Sequence, residues 1–126
     1  GTSRADILRS EGDAELTEDV FIEWNGPNNG LGDVSGEVQI PEWMTEMAPA
    51  EEIREATVDP VRTVITPDGW KFTWSTIGYN ELYNLNDDPG ELHNVYKDHP
   101  DIVQRLCTKI RNWQKETGDT AELPGI

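Results

Sequence analysis

Apolar residues recur at three- and four-residue steps in only one long stretch of this chain. Ile102, Val103, Leu106, Ile110 and Trp113 form a stripe that predicts an amphipathic helix. Asp98 is placed as its N-cap, with Pro100 and Asp101 in the first turn, and Lys109, Arg111 and Lys115 lie toward the end that favours cations. Gly118 suits the position just past the last turn, and residues 119–126 read as a loose tail.

Upstream the period changes from helical to two. Val61–Thr66 and Trp70–Thr76 are rich in β-formers and are joined by Pro67-Asp68-Gly69, in which Pro presets φ and Gly accepts a positive one. Trp70, Phe72 and Trp74 share one face and Lys71, Thr73 and Ser75 the other, which predicts a strand buried on its aromatic side. Ile77-Gly78-Tyr79-Asn80 turns the chain into a further strand, Glu81–Leu85. Five turn-formers in succession, Asn86 to Gly90, then fold it back toward the helix. Glu81–Val95 is therefore a packing corner.

The first half is harder to read. Val20–Trp24 has strand composition and runs into a dense turn cluster, Asn25 to Gly30. Residues 31–60 are acidic and broken by Pro41, Pro49 and Pro60, with a short helix expected over Ala50–Ala56 behind Pro49. So long a weakly patterned segment is either a functional loop or partly disordered. The expected fold class is α+β: a small antiparallel sheet of three or four strands with one long C-terminal helix packed on one face. One helix covers one sheet face, so the other must meet water or a partner. The expected organisation is an acidic, turn-rich segment (1–60) holding one strand (20–24), a sheet-and-helix unit (61–118) and the tail (119–126).

Charge sharpens this division. The net charge is −15. Residues 1–60 hold 15 Asp/Glu against 3 Arg (net −12), and residues 61–126 hold 10 against 7 Lys/Arg (net −3). Such a surface repels phosphate backbones and anionic membrane, so neither nucleic acid nor membrane is an expected partner. No run approaches the ~18 apolar residues of a membrane span. The single Cys107 excludes an internal disulfide and any Cys-based zinc cluster. Gly1-Thr2-Ser3, without an initiator Met, is read as a cloning scar or a cut from something longer.

Candidate chemistry is sparse. Asp87, Asp88, Glu91 and His93 lie within seven residues and invite a hard-cation reading, but without EF-hand spacing they are better explained by the turn, with Glu91 capping backbone amides. His93 and His99 stand beside polar turns and are expected to be solvated. Cys107 borders the helix's apolar stripe and reads as a core-edge thiol rather than a nucleophile. The Trp70/Phe72/Trp74 stripe reads as core before it reads as a carbohydrate platform. Carboxylates abound, but a glycosidase reading would rest on abundance alone. No phosphate-binding Gly loop, GxSxG or HExxH occurs.

One resemblance is specific. Val61-Arg62-Thr63-Val64, Asp68-Gly69-Trp70-Lys71-Phe72, Glu81-Leu82-Tyr83-Asn84-Leu85, Asp88-Pro89, Glu91 and Asn94, followed by the helix closing on Trp113 and Gly118-Asp119, resemble the C-terminal subdomain of the sulfatase family in the alkaline-phosphatase-like superfamily. That family shows an R-T-x-x-y-K-y strand pair, then E-L-Y-D-L-x-x-D-P-x-E-x-x-N-L, then a helix. Asn84 stands where the family has Asp, and Val95 where it has Leu. Val20–Trp24 resembles, more loosely, the strand preceding this block.

The family's nucleophile lies in a C-x-P-x-R signature and is converted to formylglycine. Cys107 is followed by Thr108, Lys109, Ile110 and Arg111 and does not match. The resemblance therefore implies a C-terminal piece of a sulfuric-ester hydrolase, inactive alone, with no catalytic or metal residue of its own. Calcium and formylglycine are implied only for the full-length enzyme, and its catalytic domain, in the same polypeptide, is the implied partner. The compartment is left open by the sequence, and the resemblance leans toward export to the periplasm or outside the cell. Segment 25–60 is where contacts near a substrate cleft are expected, with Asn25, Asn28 and Trp43 as rim candidates. Self-association through the uncovered sheet face is a further expectation. The competing readings are a free-standing acidic module binding protein or glycan, and a complete small hydrolase using local carboxylates.

Overall fold

A computed structural model describes residues 17–26 and 40–126. Four strands, β1 (Val20–Trp24), β2 (Val61–Ile65), β3 (Trp70–Ser75) and β4 (Glu81–Asn84), pair antiparallel in the order β1-β2-β3-β4. Between β1 and β2 come a 3-10 helix (Glu42–Glu46) and helix α1 (Ala50–Val58), and helix α2 (Pro100–Thr117) follows the sheet. The α+β class expected from the pattern is the class found. Helix α1 runs two residues beyond the expected Ala56, and β4 stops one short of Leu85.

Register explains the core. Phe21, Val64, Phe72 and Leu82 stand opposite one another across all four strands, forming an unbroken apolar row. Helix α2 lays Val103, Leu106 and Ile110 onto that row, and Val64, Phe72, Leu82, Leu106 and Ile110 are fully buried. Trp113 stacks on Phe21, with centroids 5.5 Å apart and planes 9° from parallel. Phe72 is stacked by Tyr96 at 6.3 Å. Phe72 and Trp74 thus lie on a buried face, with Trp70 half-buried at its end.

Helix α2 differs from expectation at its start. His99, not Asp98, is the N-cap, and no side chain caps the helix there. The Asp98 amide is used one residue earlier, donating to Val95 O at 3.0 Å to close a separate turn, and Pro100 takes the first helical position, where a missing N–H costs nothing. Gly118 ends the helix at φ 74°.

The closing residues are anchored rather than loose. Arg62, on the covered sheet face, makes a bidentate pair with Asp119 (Nε–Oδ2 2.9 Å, Nη2–Oδ1 2.6 Å) and spends Nη1 on the carbonyls of Trp24 and Val61. Gln114 Nε2 donates to Asp119 and to Ala121 O, Arg111 donates to Leu123 O, and Leu123 enters the core. Sequence periodicity could not signal this, because the anchor is a long-range ion pair.

Candidate functional site: the acidic groove beneath helix α1

The corner Glu81–Val95 shows where the acidic turn's side chains go. Asp87 accepts from Asn84 Nδ2 at 2.7 Å. Asp88 accepts the amide of His93 at 2.8 Å, and that bond, helped by the amide of Leu92, holds its carboxyl below the usual range. Glu91 adopts φ 54° and reaches Lys71 Nζ at 2.6 Å, so it pairs a cation rather than capping amides. Asn94 receives the amides of Leu82 and Tyr96 and donates to Asn80 O. The turn is also pinned to the β2–β3 hairpin. Leu85 N donates to Gly69 O at 2.7 Å, and Asn86 lies so close to Gly69 (φ 86°) that a Cβ there would run into it. Asp87, Asp88 and Glu91 are thus each committed to a turn or an ion pair. Among the described residues no group of three or more His, Cys, Asp or Glu is arranged to hold a metal ion.

Two other candidates resolve equally plainly. Burial pushes the Cys107 thiol up to about 11, against a lowering by nearby Arg111, so it stays a protonated core thiol near neutral pH. His93 is exposed, with Nδ1 3.7 Å from Asp88, whereas His99 sits edge-on to Trp70 with centroids 5.2 Å apart and is only half exposed.

An apolar-lined site with room for a partner lies on the opposite sheet face. The row next to the core row reads Ile22, Thr63, Thr73, Glu81, and the row beyond it pairs Trp24 with Val61 and Val61 with Ser75. Helix α1 and the 3-10 helix lean over this face without sealing it. They leave a groove of about 670 Å³ lined by Met44, Met47, Ile53, Ala56 and Val61, with Glu52 and Glu81 among its polar wall. Asp59 also lines it and is fully engaged, accepting from Ser75 Oγ, Thr76 Oγ1 and Thr76 N. Gly26, at φ 80°, packs against the backbone of Val58 at the end of α1, and a Cβ there would press on Val58 O.

Of the rim residues expected from sequence, Asn25 is exposed at the end of β1, and Trp43 is 62% exposed on the 3-10 helix. The groove wall is formed by its neighbours Met44 and Met47. Asn28 lies outside the described residues. Sequence reading missed Met44, Met47 and Ile53. The available signal was the short apolar spacing of Ala50–Ala56, which marked a helix but not what it faced.

Among the described residues, fold and groove define a small helix-backed sheet, closed on one face by α2 and open on the other beneath the 3-10 helix and α1. No family model matches the chain. Over 54 residues it is 39% identical to an uncharacterized sulfatase of Schizosaccharomyces pombe, and that match takes in 43% of this chain but 9% of the yeast protein. The likeness is weak and partial, and it carries a sulfatase relation and nothing finer.

Proposed function

We propose that this chain is the C-terminal subdomain of a sulfuric-ester hydrolase, structural and cleft-completing in role and inactive alone. The 39% identity over 54 residues to a sulfatase is the observation that carries this reading. It is supported by the lack of a C-x-P-x-R sequence in this chain and by acidic side chains that are spent on turns and ion pairs. The nucleophile, as formylglycine, and the calcium ligands then belong to the catalytic domain of a longer polypeptide. No step of the chemistry runs through residues described above. Asn25, Asn28 and Trp43 are the residues we assign to the cleft rim, a placement that fails if the same segment of a full-length homologous structure lies far from the bound calcium. An exported enzyme fits the same reading.

The test is the reading frame upstream, where an in-frame C-x-P-x-R sequence is expected. The purified chain should turn over no aryl sulfate with or without calcium, and calcium-dependent turnover would overturn the proposal. A second reading, a free-standing acidic module binding protein or glycan, is favoured by the open groove. An upstream frame without the signature would decide for it.

A further inference from the structure

The groove has a definite chemical character. Its apolar lining is aliphatic and thioether carbon, from Met44, Met47, Ile53 and Ala56 on the helical side and Val61 on the sheet. Among the described residues its lining includes three acidic ones, Glu52, Asp59 and Glu81, and no Lys or Arg. The two helices that roof it add to this sign: residues 42–58 carry five Glu (42, 46, 51, 52, 55) against Arg54 alone, a net of −4. The apolar surface continues past the groove, because Val61 pairs with Trp24 in register, and Trp24 and Ile22 are each about half exposed. An apolar strip rimmed mainly by Glu, with Lys71 of that face paired to Glu91, has the character of a protein-interaction surface.

We infer that this groove receives a protein segment that is apolar on one side and carries Lys or Arg along its borders. The apolar lining takes apolar side chains, which soft, unbranched methionines accommodate without a fixed shape. The Glu rim selects cationic flanks and speeds encounter. A second copy of this chain is the wrong occupant: it brings the same acidic rim to the same face, and like charges would oppose across the contact. This deepens the subdomain reading, since it states what surface the catalytic domain must present here.

The experiment uses the chain as it stands and two synthetic amphipathic peptides. One has Leu on one side and Lys on the other, and its counterpart has Glu for every Lys. Titration followed by Trp fluorescence and by amide chemical shifts should show the Lys peptide binding at least about tenfold more tightly than the Glu peptide, with affinity falling as salt rises. Shifts should centre on Met47, Ile53 and Val61. Glu52→Lys should weaken the Lys peptide several-fold, whereas Glu116→Lys, the same charge change on exposed α2 surface, should not. Equal affinity for the two peptides, no binding of either, equal loss in both variants, or a dimer that buries the groove would each overturn the inference. Its failure is separable from that of the sulfatase reading, which falls only on the upstream frame or on turnover by this chain.

Discussion

The two faces of the sheet are built from the same four strands one residue out of step. On the covered face the cross-strand row is Phe21, Val64, Phe72, Leu82; on the other it is Ile22, Thr63, Thr73, Glu81. The first stays apolar from edge to edge and is sealed by α2. The second decays from Ile to Glu, and its apolar end stands open, Ile22 being 49% exposed. With a side-chain period of two, that single step decides which residues hold the molecule together and which are left to meet something else. Stability and recognition are therefore assigned to opposite faces, and substitutions should separate them.

The largest effect belongs to the covered row. Phe72→Ala, at a fully buried position touching Trp74 and Tyr96, should cost about 3–5 kcal/mol in denaturant unfolding, enough to unfold a small domain under mild conditions. Thr73→Ala, its neighbour on the open face, should cost under about 1 kcal/mol, the loss of one hydroxyl contact with Thr63 at 3.0 Å. Comparable losses at the two positions would mean that the open face is also core.

Next comes the anchor of the chain's end, also on the covered face. Asp119→Ala leaves the Arg62 guanidinium, 3% exposed, without its counter-ion and should cost about 3 kcal/mol, the low end for a buried pair because Trp24 O and Val61 O remain. Glu91→Ala, which breaks the more exposed pair with Lys71, should cost no more than about 1 kcal/mol.

The same pair gives a pH signature. Hydrogen bonding from Arg62 holds the Asp119 carboxyl at about 2, below its ordinary 3.8, despite partial burial. A depressed carboxylate stabilises the fold fully above its unfolded value. That contribution, about 2 kcal/mol, is lost as pH falls from about 3.8 through about 2. Unfolding free energy measured from pH 5 downward should therefore drop less steeply in Asp119→Asn than in the parent. Identical slopes would show that the pair does not form.

How much of this was legible beforehand follows from the range of each interaction. The stripe Ile102–Trp113 and the alternation Trp70–Trp74 are local patterns, so helix, hairpin and buried face could be read directly. The corner was legible because its turn-formers are contiguous. Asp98 misled as a cap because the carbonyl that accepts the first helical bond, from Val103 N at 3.0 Å, is that of His99, one residue further on. The docked end could not be read, since Arg62 and Asp119 are 57 residues apart. The groove was hidden for a similar reason: it exists only where α1, the 3-10 helix and the open sheet face converge, and none of the three is strongly patterned alone.

The smallest expected effect on stability probes the open face itself. Trp24→Ser removes a half-exposed indole whose carbonyl, not its ring, is what Arg62 uses, so the backbone bond survives. Unfolding free energy should shift by no more than about 1 kcal/mol, against the 3 or more expected when a core aromatic is lost. The same substitution shortens the exposed apolar strip that runs from Ile22 and Trp24 to Val61 at the groove. It should lower binding of a hydrophobic dye and weaken the Lys-bearing peptide, while leaving the unfolding midpoint near that of the parent. A large fall in stability with dye and peptide binding unchanged would reverse the assignment, making Trp24 part of the core and returning the open face to ordinary solvated surface.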